Sequence, residues 1–341
     1  MKEAIDKILE EIKKQHQEQG KQLLGVGEEG IRPEEFSKER FRNITPEPRK
    51  TIFIDGGNSE IITSPAMCLS FVRIATLKYT NNKREACNID EFYVLCSAKN
   101  KEGRIKYCAK LFKANAKMLG DEFFEKEFVF DALDRQICEG NKRAEMSKMP
   151  GIMRRIAELT TAKEIASVAE KEDIIVIDGD LNSRAEEERR NINALKRICE
   201  GREMMVCAVS KTSDLLTSNA EAVGAFLSRN APEGSWNYLM SAGDKEIRFA
   251  KLHPASGYVF KIEIFGEGEK TMAALASNSN DAVFLGYPYG LVEADKLARV
   301  PNKEAEALRM MFMAKAGKDW KLIEAGVKAN DAHSVLDRIS Y

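Results

Sequence analysis

The sequence has no excess of charge of either sign. Lys plus Arg number 53, Asp plus Glu 54, and the formal net charge is -1. No global positive field draws the chain to nucleic acid or membrane, so a polyanionic partner has to be held by local patches or by metal. Long apolar runs are missing too, and nothing approaches the roughly 18 residues of a membrane span. The opening stretch, MKEAIDKILEEIKKQHQEQ, is charged throughout and has no apolar core of a signal peptide. Cys68, Cys87, Cys96, Cys108, Cys138, Cys199 and Cys207 include no C-x-x-C pair. An odd, scattered set reads as reduced thiols rather than a disulfide frame or zinc site. Together these absences predict a soluble, cytoplasmic protein without membrane contact.

Three nucleotide and nucleophile signatures are missing as well. There is no G-x-x-x-x-G-K-[ST] loop, so ATP has to be handled by a partner. Gly266-Glu267-Gly268 is not followed by the helix of a dinucleotide fingerprint, and no G-x-S-x-G elbow occurs. What is present is a globular composition. Of 341 residues, 43% are hydrophobic and 31% charged, which excludes wholesale disorder and allows a core without staples.

Residues 2–19 place Ile5, Ile8, Leu9 and Ile12 at helical spacing, an amphipathic helix. Residues 25–50 read as a polar connector with a short helix around Pro33–Arg42. Lys50–Ile54 is a short β-run stopping at Asp55-Gly56-Gly57, and Met67–Tyr79 and Glu91–Ala98 are further strands. Asn100–Gly103 is a turn leading to a returning strand. From about residue 109 to 171 the pattern reads as helices. Asp173–Asp178 and Met204–Ser210 are apolar strands of a covered sheet centre, with helices over Arg184–Glu200 and Asp214–Arg229. Ile247–Leu252 and Tyr258–Phe265 form a hairpin around Pro254–Gly257. Ala282–Leu285 is a short strand before the Gly286–Gly290 loop and closing helices.

An antiparallel trio followed by alternating strands and helices is a mixed α/β arrangement, built like an RNase H-like sheet. The expected layout is an N-terminal helical extension over 1–48, then one domain over 49–341 with a helical insertion at about 110–170.

The chemistry lies in carboxylates. Ile54-Asp55-Gly56-Gly57 and Ile177-Asp178-Gly179-Asp180 each set an aspartate behind an apolar β-run. Strand ends form the ligand rim of open α/β sheets, although Asp-Gly is also ordinary turn chemistry. Met153-Arg154-Arg155-Ile156-Ala157-Glu158-Leu159 adds a helical Glu158, whose bland alternative is a surface ion pair. Asp295 follows the Gly286-Tyr287-Pro288-Tyr289 loop, with Glu293 as its rival. Three or four converging carboxylates suit Mg2+ or Mn2+, not zinc. Two such ions drive in-line phosphodiester displacement. The basic residues beside Glu158, Arg154 and Arg155, are either a solvated helix face or the lining of a DNA channel that contacts phosphates. Phe123, Phe124, Phe128 and Phe130 are either base-stacking or core residues, and His253 is a surface histidine at the hairpin tip.

The ordered set resembles the archaeal and bacterial NurA nuclease family. It comprises Phe53–Glu60, Met153–Leu159, Ile175–Leu181, Val209-Ser210-Lys211-Thr212 and Gly286–Asp295, spread over about residues 50–300. The resemblance implies an RNase H-like, PIWI-related fold and a manganese-dependent nuclease, with Mg2+ as the alternative ion. It implies 5′–3′ exonuclease action on single- and double-stranded DNA and endonuclease action on single strands. It further implies a homodimer working with the hexameric HerA translocase in DNA end resection. Asp55, Glu158 and Asp178 match the family's metal ligands, Lys211 a phosphate-contacting lysine, and Tyr287 the tyrosine of the last motif; Lys211, Tyr287 and Arg155 are read as the substrate-binding residues. Some members carry histidine where this chain has Asp295, read here as the fourth ligand with His333 as fallback. The alternatives are a catalytically degenerate partner of a DNA translocase and an actin-like ATPase.

Overall fold

The computed structural model describes residues 2–15, 22–26, 32–134, 137–138 and 142–327. His16 and His333 lie outside the described residues. In chain order the elements begin with α1 (Lys2–Gln15), β1 (Leu23–Val26), β2 (Glu34–Glu35) and β3 (Phe41–Asn43). A meander follows: β4 (Thr51–Ser64), β5 (Met67–Thr80), β6 (Lys83–Lys101) and β7 (Arg104–Asn115). Next come α2 (Asp121–Glu125), β8 (Phe128–Asp131), α3 (Met149–Val168), β9 (Ile174–Asp178), α4 (Glu186–Arg202) and β10 (Met205–Ser210). Then β11 (Leu216–Thr217), α5 (Val223–Asn230), β12 (Trp236–Ala242), β13 (Glu246–Lys251) and β14 (Phe260–Phe265). The last helices are α6 (Gly268–Ser277), α7 (Tyr289–Ala298) and α8 (Asn302–Ala316).

Eleven strands make the main sheet, in the order β3-β12-β13-β14-β10-β9-β4-β5-β6-β7-β8. β4, β5 and β6 pair antiparallel, whereas β4–β9 and β9–β10 pair parallel, with α3 leading into β9 and α4 joining β9 to β10. This is the RNase H-like arrangement. Period-2 alternation explains the layers. Ile52, Ile54, Ile175 and Ile177 face one way, into a core with Met153, Ile156 and Leu159 of α3 and Leu195 of α4. Phe53, Ile174, Val176, Cys207 and Val209 face the other way, against Met272 and Leu275 of α6 and Leu291 and Ala294 of α7. A strand covered on both faces has to be apolar where it is covered, and β9 is apolar from Ile174 to Ile177, before Asp178 at its end. Phe53 is fully buried beneath Gly290, where an added Cβ would lie 2.1 Å from its ring. Truncating such a side chain costs about 3–5 kcal/mol.

Several expectations are corrected. The stretch 110–170 is not a helical insertion: β7 continues to Asn115, α2 has five residues, β8 follows, and only α3 is a long helix. In β7 Tyr107, Ala109 and Leu111 are buried while Lys110 points outward, a period of 2 extended by pairing with β6. The phenylalanines belong to the core: Phe123 and Phe128 are buried, and Phe124 packs edge-on against Phe92 and Phe123. The N-terminal extension is woven into the sheets, since β1 pairs with β11 and β3 with β12. The stretch 282–285 forms turns rather than a strand. Among the described residues no helix is long and apolar enough to cross a membrane.

Candidate active site

Asp55 and Asp178 were expected at two strand ends. Only Asp178 is at one; Asp55 lies inside β4, which continues through Gly56 and Gly57. The two Asp-Gly pairs therefore use glycine for different reasons. Gly179 has φ +101°, the turn that a strand end needs. Gly56 is extended, and its missing side chain is what matters. An added Cβ would sit 2.5 Å from Glu158 Oε1 and 2.9 Å from Arg154 Cγ. α3 covers one face of the sheet, and this bare position lets Glu158 press against the strand beside Asp55.

Asp55 is 4% exposed, and its Oδ1 accepts the Gly56 N–H at 2.7 Å. Burial first, then the neighbouring charges of Glu158 and Asp178, push its pKa up to about 8. The charges of Glu158 and Asp178 thus fall on the buried Asp55 carboxyl. Asp178 is held from two sides: Tyr287 Oη donates to Oδ1 at 2.9 Å, and Lys211 Nζ lies 3.0 Å from Oδ2. Burial raises the Tyr287 pKa, and Asp178 raises it further, so the phenol remains a donor. Burial works against the charge of Lys211, Asp178 outweighs it, and the net shift is upward, keeping an ammonium.

Arg154 and Arg155 were candidates for DNA phosphate contact, but the structure spends them internally. Arg154 donates to the Gly56 carbonyl and lies 3.6 Å from Glu158. Arg155 is 8% exposed; it donates to Glu158 Oε2 at 3.2 Å and to the Asp178 and Asp180 carbonyls. One arginine ties Glu158 to the Asp55 segment and the next ties it to the Asp178 segment. Tyr287, at 1% exposure, is likewise a buried prop for Asp178 rather than a surface that DNA can reach. Lys211 remains exposed.

Asp295 stands on α7, part-exposed, paired with Arg299 at 2.9 Å. Its charge adds to the raised pKa of both Lys211 and Tyr287, which places it in the same neighbourhood. Glu293 is committed elsewhere, to Tyr79 and Arg84. His253 is at the β13–β14 hairpin tip, where its Nδ1 accepts the Ala255 N–H.

Sequence reading missed a supporting group. Glu263 is 1% exposed in β14, pairs with Lys245 at 2.5 Å and Lys261 at 3.0 Å, and accepts the Leu181 N–H at 2.8 Å. It anchors the loop that follows Asp178. The available signal was a charged pair, Lys261 and Glu263, alternating inside an otherwise apolar strand.

As arranged, no group of three or more His, Cys, Asp or Glu side chains among the described residues closes around one ion. The donor set nevertheless fits a hard divalent cation. Its oxygens are carboxylate, and a cation would relieve the repulsion that falls on buried Asp55.

An antiparallel trio continued by parallel strands, with aspartates on adjacent central strands and a glutamate from the covering helix, is an RNase H-like sheet with carboxylates at its centre. A family model described as "NurA domain" matches residues 49–300. The chain belongs to the NurA family.

Solved structures share the outline at low identity. The NurA nuclease from Sulfolobus solfataricus aligns with TM-score 0.47 and 14% identity, over 82% of this chain and 88% of that one. The catalytic domain of human endonuclease V aligns with TM-score 0.36 and 11% identity, over 81% and 92%. A. aeolicus Argonaute aligns with TM-score 0.31 and 12% identity, over 75% of this chain and 29% of that one. No curated protein matches the sequence.

Proposed function

We infer that this nuclease is a DNA phosphodiesterase dependent on divalent metal, with Asp55, Glu158, Asp178 and Asp295 as ligands and Mn2+ as the ion, Mg2+ being the alternative. The supporting observation is the convergence of Glu158 and Asp178 on buried Asp55. Divalent ions held by these carboxylates would supply an activated water and charge neutralisation at the leaving oxygen. The chain's own groups do the rest. The Gly56 N–H fixes Asp55, Tyr287 and Lys211 fix Asp178, and the two arginines fix Glu158. The exposed Lys211 ammonium meets a non-bridging phosphate oxygen of the DNA. Asp295 turns inward easily, because a solvent-exposed ion pair such as that with Arg299 holds weakly.

The family resemblance supports the finer reading. That reading is 5′–3′ exonuclease action on single- and double-stranded DNA, endonuclease action on single strands, and a homodimer serving a HerA-type translocase in end resection.

The test is cleavage of end-labelled oligonucleotides in Mn2+ by Asp55→Asn and Asp178→Asn proteins. Both are expected to lose cleavage while circular dichroism and gel-filtration profiles stay unchanged. Full cleavage by either purified variant rejects the proposal. Calorimetric titration with Mn2+ should give heat with the unaltered protein. A folded protein that binds the translocase but gives neither cleavage nor heat is the degenerate regulatory partner instead.

A further inference from the structure

An aromatic stair leads from the carboxylate rim to solvent. Its lowest step is Tyr287, hydrogen-bonded to Asp178 at 2.9 Å. Phe284 stacks on Tyr287, with centroids 5.1 Å apart and planes 21° from parallel. Tyr258 meets Phe284 edge-on at 5.2 Å and lies over Phe260 at 6.3 Å. Phe260 and Tyr287 are buried, whereas Tyr258 is 58% exposed. Two ring-to-ring steps and one hydrogen bond therefore separate an open aromatic face from Asp178.

The sheet register places Tyr258 at the same edge independently. Ser210, the last residue of β10, pairs with Lys261, and β14 runs antiparallel from Phe260. Residue 258 thus lies just beyond the edge where Lys211 leaves β10. The loop carrying it is fastened. The Tyr258 N–H donates to Ser256 Oγ at 3.1 Å, and the Ser256 N–H donates to the His253 carbonyl at 3.0 Å. Ser256 in turn packs on Gly286, where an added Cβ would sit 2.3 Å from Ser256 Oγ.

Single exposed aromatics are ordinary on protein surfaces. What sets Tyr258 apart is its position beside the rim, on a fixed loop, with its ring backed by two others. We propose that Tyr258 is a stacking platform for an unpaired nucleobase flanking the scissile phosphate. The ligand class is single-stranded or frayed DNA, because a base inside a duplex has no free face to offer. This rests on the nuclease reading given above.

The experiment separates the two. Binding is read with an oligonucleotide carrying 2-aminopurine beside the cleavage position and the Asp55→Asn protein, so no activity is needed. Stacking on Tyr258 quenches the fluorescence, and adding Tyr258→Ala abolishes the quench. Kinetics are read in the otherwise unaltered chain. Tyr258→Ala is expected to raise KM for single-stranded DNA about tenfold while kcat holds. Tyr258→Trp retains the original KM. An abasic substrate lacking the flanking base should weaken binding to the unaltered chain about tenfold and leave Tyr258→Ala indifferent. Equal quenching and equal KM with and without the Tyr258 ring overturn the inference. Absence of cleavage by the unaltered protein counts against the nuclease reading, while the fluorescence result still decides the stacking role.

Discussion

Asp55 and Asp178 occupy matching positions on neighbouring parallel strands. Ile54 of β4 is the last residue to pair with β9, opposite Ile177, and the next residue on each strand is the aspartate. Parallel register sets the two carboxylates side by side, on the face that also carries Phe53 and Val176. Glu158 approaches from the helix on the other face, across Gly56. The site is thus assembled through the sheet rather than along one surface of it.

That geometry leaves no room for a side chain at Gly56. Gly56→Ala would set a methyl 2.5 Å from Glu158 Oε1 and 2.9 Å from Ile74 Cδ1. The overpacking should cost about 1–3 kcal/mol in thermal or urea melts. Displacing Glu158 should lower kcat about 100-fold. An alanine variant with undiminished kcat would show that Glu158 has room to give.

Tyr287→Phe removes one hydroxyl and keeps the ring. Asp178 then loses its 2.9 Å donor, with a stability change of about 1 kcal/mol. Because the phenol is buried, KM for DNA should hold while kcat falls. A KM effect alone would return Tyr287 to the substrate.

Arg155 separates charge from shape. Arg155→Lys keeps the cation but loses the planar fork that reaches Glu158 and the carbonyls of Asp178 and Asp180 together. It should lower kcat with little change in KM. Arg155→Met leaves Glu158 without that partner and should destabilise the fold by about 3–5 kcal/mol. Steady-state kinetics beside urea melts distinguish the two effects.

Glu263 gives a pH signature. Burial alone pushes its pKa up, but Lys245 and Lys261 and the hydrogen bonds from Lys245 and Leu181 outweigh that, and the net shift is below the ordinary 4.5. A depressed carboxyl contributes stability above its unfolded value and loses it as pH falls through the folded one. The stability gap between the unaltered chain and Glu263→Gln should be full at neutral pH and should shrink on acidification below 4.5. Urea melts across that range measure it. A gap independent of pH would contradict the ionised triad.

Much of the fold was legible because periodicity is local. The runs at Lys50–Ile54, Asp173–Asp178 and Met204–Ser210 marked the central strands, and the Asn100–Gly103 turn, in which Glu102 and Gly103 have φ 54° and 75°, marked the β6–β7 hairpin. The stretch after Ala109 was misread because a four-residue strand such as β8 owes its conformation to its partner. Phe128–Asp131 extends only by pairing with Lys106–Ala109.

By itself the sequence named Asp55 and Asp178 as charges behind apolar β-runs and Glu158 and Asp295 as helical carboxylates, while Lys211 entered with the family resemblance. Tertiary structure alone decided what each one faces. Register put Asp55 beside Asp178, and the bare Cα of Gly56 admitted Glu158. Burial turned Arg155 and Tyr287 from DNA contacts into props. The physical reason is that a residue's chemical type is written in the chain, whereas its solvation and neighbours are set by segments more than 100 residues away, such as Tyr287 on Asp178.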